Sequence, residues 1–165
     1  GMLKPNEGRI ILNNCDEADS SLILSQIIGY IPQNSFIMDD SIMNNVAIGI
    51  EKKDIDIEQV KKSLSRAGLN ELLNNLSKHV GESGHFLSGG QKQRLVIARQ
   101  FYRNNQVLIF DESTNAIDNL TEKQILNEIR NQEKKPLIII ISHSNDLLEL
   151  CDQVFKIENK KIIKI

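Results

Sequence analysis

Leu87-Ser88-Gly89-Gly90-Gln91, a helical run, Val107-Leu108-Ile109-Phe110-Asp111-Glu112 and Asn115-Ala116-Ile117-Asp118 are the parts of the stretch, residues 87 to 118, that decides the fold. Ser88 and Gln91 have the spacing of a capping box, so a helix is expected to start after Ser88. Leu95, Ala98 and Tyr102 recur at helical spacing and give that helix an apolar face. Gly89 and Gly90 leave backbone N–H groups uncovered at the positive end of the helix dipole, an arrangement that suits an anion, phosphate above all. Beyond the turn expected at Asn104-Asn105, Val107 to Phe110 is an unbroken apolar run, as in a parallel strand buried on both faces. In open α/β sheets ligands lie outside the carboxyl ends of the strands, where Asp111 and Glu112 would fall. The first suits a magnesium ion and the second can orient or deprotonate a water.

The 165 residues are enough for one domain with its own core. A net charge of -2 gives no general electrostatic case for nucleic acid or anionic lipid. No apolar run approaches the roughly 20 residues of a membrane span. Cys15 and Cys151 have no metal-site spacing and read as incidental thiols of a reducing compartment.

Either motif alone is common: Ser-Gly-Gly-Gln as an ordinary cap, an apolar strand ending in two acids in any α/β protein. The two in this order, one helix apart, resemble the ATP-binding cassette (ABC) family: its signature motif, its Walker B strand with the catalytic glutamate, and its D-loop. Nearly the whole chain takes part in that resemblance. The Pro5-x-x-Gly8-x-Ile10 turn and a strand expected over Arg9 to Leu12 are similar to the segment after the family's phosphate-binding P-loop helix. The P-loop pattern GxxxxGK[ST] is absent from the sequence. Gln33, just past a strand ended by Pro32, resembles the Q-loop glutamine; Asn34 to Asp40 then correspond to the segment facing a membrane domain. His143 resembles the switch histidine, and Val80 to Gly84 the X-loop of exporters.

The fold expected from the resemblance is α/β: a P-loop NTPase-like, mostly parallel sheet flanked by helices, with a small helical subdomain and without the N-terminal strands and P-loop helix. Residues 1–33 and 105–165 would form the core sheet, and 34–104 the helical subdomain with the signature helix. The implied ligands are ATP and Mg²⁺. Glu112, His143 and Gln33 would act in catalysis, with Asp111 and Gln33 serving the metal. Ser88, Gly89, Gly90 and Gln91 would close on a partner's nucleotide, and Asp118 would communicate across that interface. The implied partners are a second nucleotide-binding domain, paired head to tail, and transmembrane domains, with no nucleic acid. The implied place is the cytoplasmic face of a membrane, and the implied role is the ATP-hydrolysing part of an exporter, the chain by itself being inactive. A soluble, non-transport ABC ATPase and a truncated non-catalytic module are the alternatives.

Local signals fill in the rest. Ser41 is expected to cap a helix to Ile50. Asp56-x-x-Gln59 forms a second capping box, for a helix with Val60, Leu64 and Ala67 on one face and Gly68 as its stop. Asn70 to Leu76 reads as a short helix. A helix from Asp118 to about Gln132 would bury Leu120, Ile125, Leu126 and Ile129. Leu137 to Ile141 is a second fully apolar strand, and Ser144 a cap for a helix through Leu150. Val154 to Glu158 and Lys161 to Ile165 read as a hairpin around Asn159-Lys160. In the family the P-loop strand lies between Leu137 to Ile141 and Val154 to Glu158, so those edges would face a gap here; direct pairing with the hairpin is the favoured repair, a strand swapped in from another copy or a detached hairpin the alternatives.

Overall fold

The computed structural model describes residues 6–8, 24, 26–113, 116–131 and 135–165. The strand expected over Arg9 to Leu12 and most of the segment from Asp16 to Gln26 lie outside them. Three parallel strands form one sheet in the order β1 (Ile28–Ile31), β2 (Val107–Asp111), β3 (Leu137–Ile141). A separate antiparallel pair, β4 (Phe155–Glu158) and β5 (Lys161–Lys164), turns through Asn159 and Lys160, both at positive φ (49° and 62°). That geometry matches the expected two-residue hairpin.

The helices are α1 (Ile42–Val46), α2 (Ile57–Arg66), α3 (Gly89–Arg103), α4 (Asn119–Arg130) and α5 (Asn145–Leu148). Their starts follow side-chain chemistry. Ser41, Asp56, Ser88 and Asp118 each accept a hydrogen bond from a backbone N–H in the first turn. Such caps contribute about 1 kcal/mol each where they are partly buried. Only Ser88 closes a full capping box. At Asp56 the box is half made, because the Asp56 N–H donates to the Tyr102 hydroxyl and the Gln59 amide reaches the Phe101 carbonyl. Ser144 makes no side-chain cap; its N–H donates to Ser142 Oγ instead. The segment from Asn70 forms a 3₁₀ turn, Asn70–Asn75, rather than an α-helix. Asn104 ends α3 in the left-handed conformation, φ 53°.

One continuous core joins the sheet and the helices: Ile31, Leu108 and Phe110 with Val60, Leu64, Leu95, Ala98, Ile125, Leu126 and Ile129. α3 lies at its centre, against α1, α2 and β1, and Leu95 to Arg99 are buried in one run. The apolar face expected for it is therefore wider than the Leu95, Ala98, Tyr102 stripe. In α4, Leu120 is exposed and Glu122 buried, the reverse of a reading by residue type. Helical spacing explains it: Glu122, Ile125, Leu126 and Ile129 lie at i, i+3, i+4 and i+7, and Leu120 falls off that stripe.

The sheet departs from the expectation of strands buried on both faces. Leu108, Phe110 and Ile31 pack under the helices; Tyr30, Leu137, Ile139 and Ile141 point to the other face and are exposed. No described element covers that second face, which in a parallel sheet is normally also packed. The hairpin does not pair with β3, contrary to the expected repair. A two-residue turn closes β4 on β5 at small chain-entropy cost, whereas pairing with β3 requires the whole 142–154 connection to order around a single-turn α5.

Candidate functional site

Parallel strands bring their carboxyl ends to one edge of a sheet. That edge gathers Gln33 after β1, Asp111 and Glu112 at the end of β2, and His143 after β3. Glu112 is the centre of the group. Its Oε2 accepts a hydrogen bond from Gln33 Nε2 at 3.2 Å, and its Oε1 lies 3.1 Å from His143 Nε2. Three residues from three segments of chain thus meet on one carboxylate. The His143 side chain is 92% exposed and that of Glu112 31%, so the group opens to solvent on the histidine side.

Glu112 has φ 47°, the left-handed region that L-residues avoid at a cost of about 1–2 kcal/mol. Its N–H donates to the Ile141 carbonyl at 3.0 Å, which extends the β2–β3 pairing by one residue and holds the turn. Strain of this kind persists where surroundings over-determine it, and functional sites are where it concentrates.

Asp111 takes a different partner. Tyr30 Oη donates to its Oδ2 at 2.5 Å. The bond to Asp111, then burial and the carboxylate's charge, hold the Tyr30 phenol above its ordinary value. Sequence reading missed Tyr30. The contact depends on strand register, which the sequence alone does not fix: Tyr30 pairs with Ile109, and Asp111 is the next residue on that face. Gln33 hydrogen-bonds Glu112, and no hydrogen bond joins it to Asp111 among the described residues. Among the described residues no three His, Cys, Asp or Glu side chains converge as a metal cage. A single strand-end carboxylate is what magnesium commonly takes from a protein when nucleotide phosphates and water supply the other oxygens, so the donor set fits that ion.

The second group stands at the start of α3. Ser88 Oγ accepts from the Gln91 N–H at 3.2 Å, and Gln91 Oε1 accepts from the Ser88 N–H at 3.0 Å. With its oxygen used by the cap, the Ser88 hydroxyl keeps its hydrogen to donate. Gly89 is exposed and Gly90 half-buried. The 116–118 turn packs on this helix start. The Ala116 N–H donates to the buried Gln93 Oε1 at 3.2 Å, and a Cβ at Gly90 would lie 2.9 Å from the Ala116 carbonyl oxygen. No periodicity marks Gln93 in the sequence. Asp118 caps α4; the Thr121 backbone N–H, then the Thr121 side chain, hold its carboxyl below the usual range.

Gly90→Ala should therefore destabilise the 165-residue chain. Overpacking against the Ala116 backbone costs about 1–3 kcal/mol, more than the gain of up to about 1 kcal/mol in helix propensity. A thermal melt checks this, and an unchanged or higher midpoint would contradict it.

A cavity of about 310 Å³ between Asn104, Asn105, Gln106, Lys135 and Pro136 lies at the amino ends of β2 and β3, opposite these groups. No helix is long and apolar enough to cross a membrane among the described residues.

Comparison with known proteins agrees with the fold. Residues 1–115 match the ABC transporter family. The chain is 33% identical over 167 residues to an ATP-dependent lipid A-core flippase of Ralstonia nicotianae, covering 98% of this chain and 28% of that protein. It is 33% identical over 166 residues to an iron-sulfur clusters transporter, atm1, of Aspergillus fumigatus mitochondria, covering 96% and 23%. Its structure is similar to that of a bacterial Atm1-family ABC exporter with ATP bound, with a TM-score of 0.81 at 31% identity over 92% of this chain and 27% of the other. The chain thus spans about a quarter of the length of these relatives.

Proposed function

Because the chain belongs to the ABC transporter family, we propose that it forms the hydrolytic and signature parts of the nucleotide-binding domain of an ATP-driven exporter, a longer, full-length protein that also supplies the P-loop. The carrying observation is the meeting of Gln33 and His143 on Glu112 at the carboxyl ends of three adjacent parallel strands. In this reading Glu112 orients the attacking water and accepts its proton. Gln33 and His143 hold the carboxylate in place, and the exposed side of His143 meets the γ-phosphate. Asp111, steadied by Tyr30, would hold a magnesium ion. When bound there, such an ion would supply charge neutralisation for phosphoryl transfer.

Ser88, Gly89 and Gly90 would close on the nucleotide of a second copy paired head to tail, with the Ser88 hydroxyl and the α3 amides turned to phosphate. The Asn34 to Asp40 loop would face transmembrane domains on the cytoplasmic side. The relatives' names specify different cargoes, a lipid and iron–sulfur clusters; export is proposed here, and no particular cargo.

Positioning by P-loop amides and lysine provides much of the phosphate grip in such enzymes, and that motif is absent from the sequence. Phosphate release by the purified 165-residue chain should therefore be no greater than that of its Glu112→Gln variant. Turnover by the wild-type chain that Glu112→Gln abolishes would overturn the reading that the chain by itself is inactive.

A further inference from the structure

Gln91 uses both ends of its side-chain amide within the chain. Its Oε1 accepts from the Ser88 N–H at 3.0 Å, and its Nε2 donates to Glu71 Oε1 at 3.1 Å. Glu71 stands on the 3₁₀ turn Asn70–Asn75, and its Oε1 also lies 3.6 Å from Arg94 Nη2 on α3. A carboxylate beside the start of a helix would compete with an anion bound there. Arg94 offsets that charge, and the Glu71 oxygen remains an acceptor for Gln91.

We infer that Glu71 is a positioning residue for the phosphate-facing helix start, acting through Gln91 on Ser88. The inference rests on the proposed function above. Without Glu71 the Gln91 amide is free to rotate, the Ser88 N–H loses its acceptor, and the Ser88 hydroxyl is no longer aimed by a closed capping box. Gln91 therefore serves the nucleotide through Ser88.

The donor–acceptor direction makes a swap possible. Gln91→Glu sets two carboxylates against each other at hydrogen-bond distance. Adding Glu71→Gln restores one donor and one acceptor with the sense reversed, and the carboxylate then at position 91 can still accept from the Ser88 N–H. In the full-length protein, ATP hydrolysis measured against ATP concentration should show KM raised roughly tenfold by Gln91→Glu and by Glu71→Ala, the worth of one charge-assisted hydrogen bond. With kcat set at the separate Glu112 group, it should stay within about twofold. The double variant Glu71→Gln/Gln91→Glu should return KM to within about threefold of wild type. Melting of the 165-residue chain carrying each change reports folding separately.

KM unchanged in both single variants, or a double variant no better than Gln91→Glu, would overturn the positioning role. So would a fall in melting temperature and in kcat with no change in KM, which would mark a purely structural contact. Wild-type turnover lost in Glu112→Gln, together with any of these results, leaves the proposed function standing and removes only Glu71. Absence of Glu112-dependent turnover in the full-length wild type would remove both.

Discussion

Glu112→Gln in the full-length protein is expected to lower ATP turnover by about 10²–10⁴-fold, the range for loss of a positioned general base. The change is nearly isosteric and keeps the left-handed backbone at residue 112. An amide can still take one hydrogen bond through its oxygen, so part of the contact with Gln33 or His143 survives. It cannot take the proton of an attacking water. Since shape is preserved, KM for ATP should change far less than kcat. A steady-state assay of both parameters checks it; a mutant with near-normal kcat would move the base to another residue.

The second large effect is on stability. Arg99 is 6% exposed and has no carboxylate partner among its hydrogen bonds. Its Nε and Nη1 donate to the Asn45 and Phe36 carbonyls, both at 2.6 Å, and its Nη2 to Asn45 Oδ1 at 2.9 Å. Burial, with the nearby Arg103 charge adding, pushes its guanidinium down to about 10, so it stays charged at neutral pH. The fork geometry lets one side chain satisfy carbonyls from two segments that no backbone ladder serves. It ties the loop after Gln33 and the end of α1 to the middle of α3.

Arg99→Ala removes these donors and leaves acceptors buried, at about 2–4 kcal/mol. For a chain of this size that lowers the melting temperature by roughly 5–15 °C. Arg99→Lys should recover only part of the loss, because one ammonium cannot reach all three acceptors. Thermal denaturation of the 165-residue chain is the check, and a shift under about 2 °C for Arg99→Ala would contradict the account.

The parts of this structure legible in the sequence are those set by neighbours in the chain. Ser88 and Gln91 announce a capping box because both halves of it lie within one helical turn. Glu112 could be placed at a ligand-facing edge because it follows an apolar strand, whereas His143 was placed by the family resemblance. That Gln33 and His143 would both bond Glu112 was not legible, since it depends on the register of three strands. The Arg99 contacts were equally hidden: an arginine at that point of a helix gives no sign that its partners are the carbonyls of Phe36 and Asn45. Leu120 and Glu122 show the opposite failing, where residue type outweighed the helical period that was there to be read. The one-sided sheet and the detached hairpin depend on what packs against them, which strand composition does not carry.

Nucleotide retention by the full-length Glu112→Gln variant tests the central claim most directly. If Glu112, held by Gln33 and His143, is the group that activates water, the variant should bind ATP, fail to cleave it, and elute from a sizing column with uncleaved ATP still bound. Wild-type protein treated in the same way should release ADP. A variant that elutes with ADP, or that retains no nucleotide while the wild type turns over, would contradict the account.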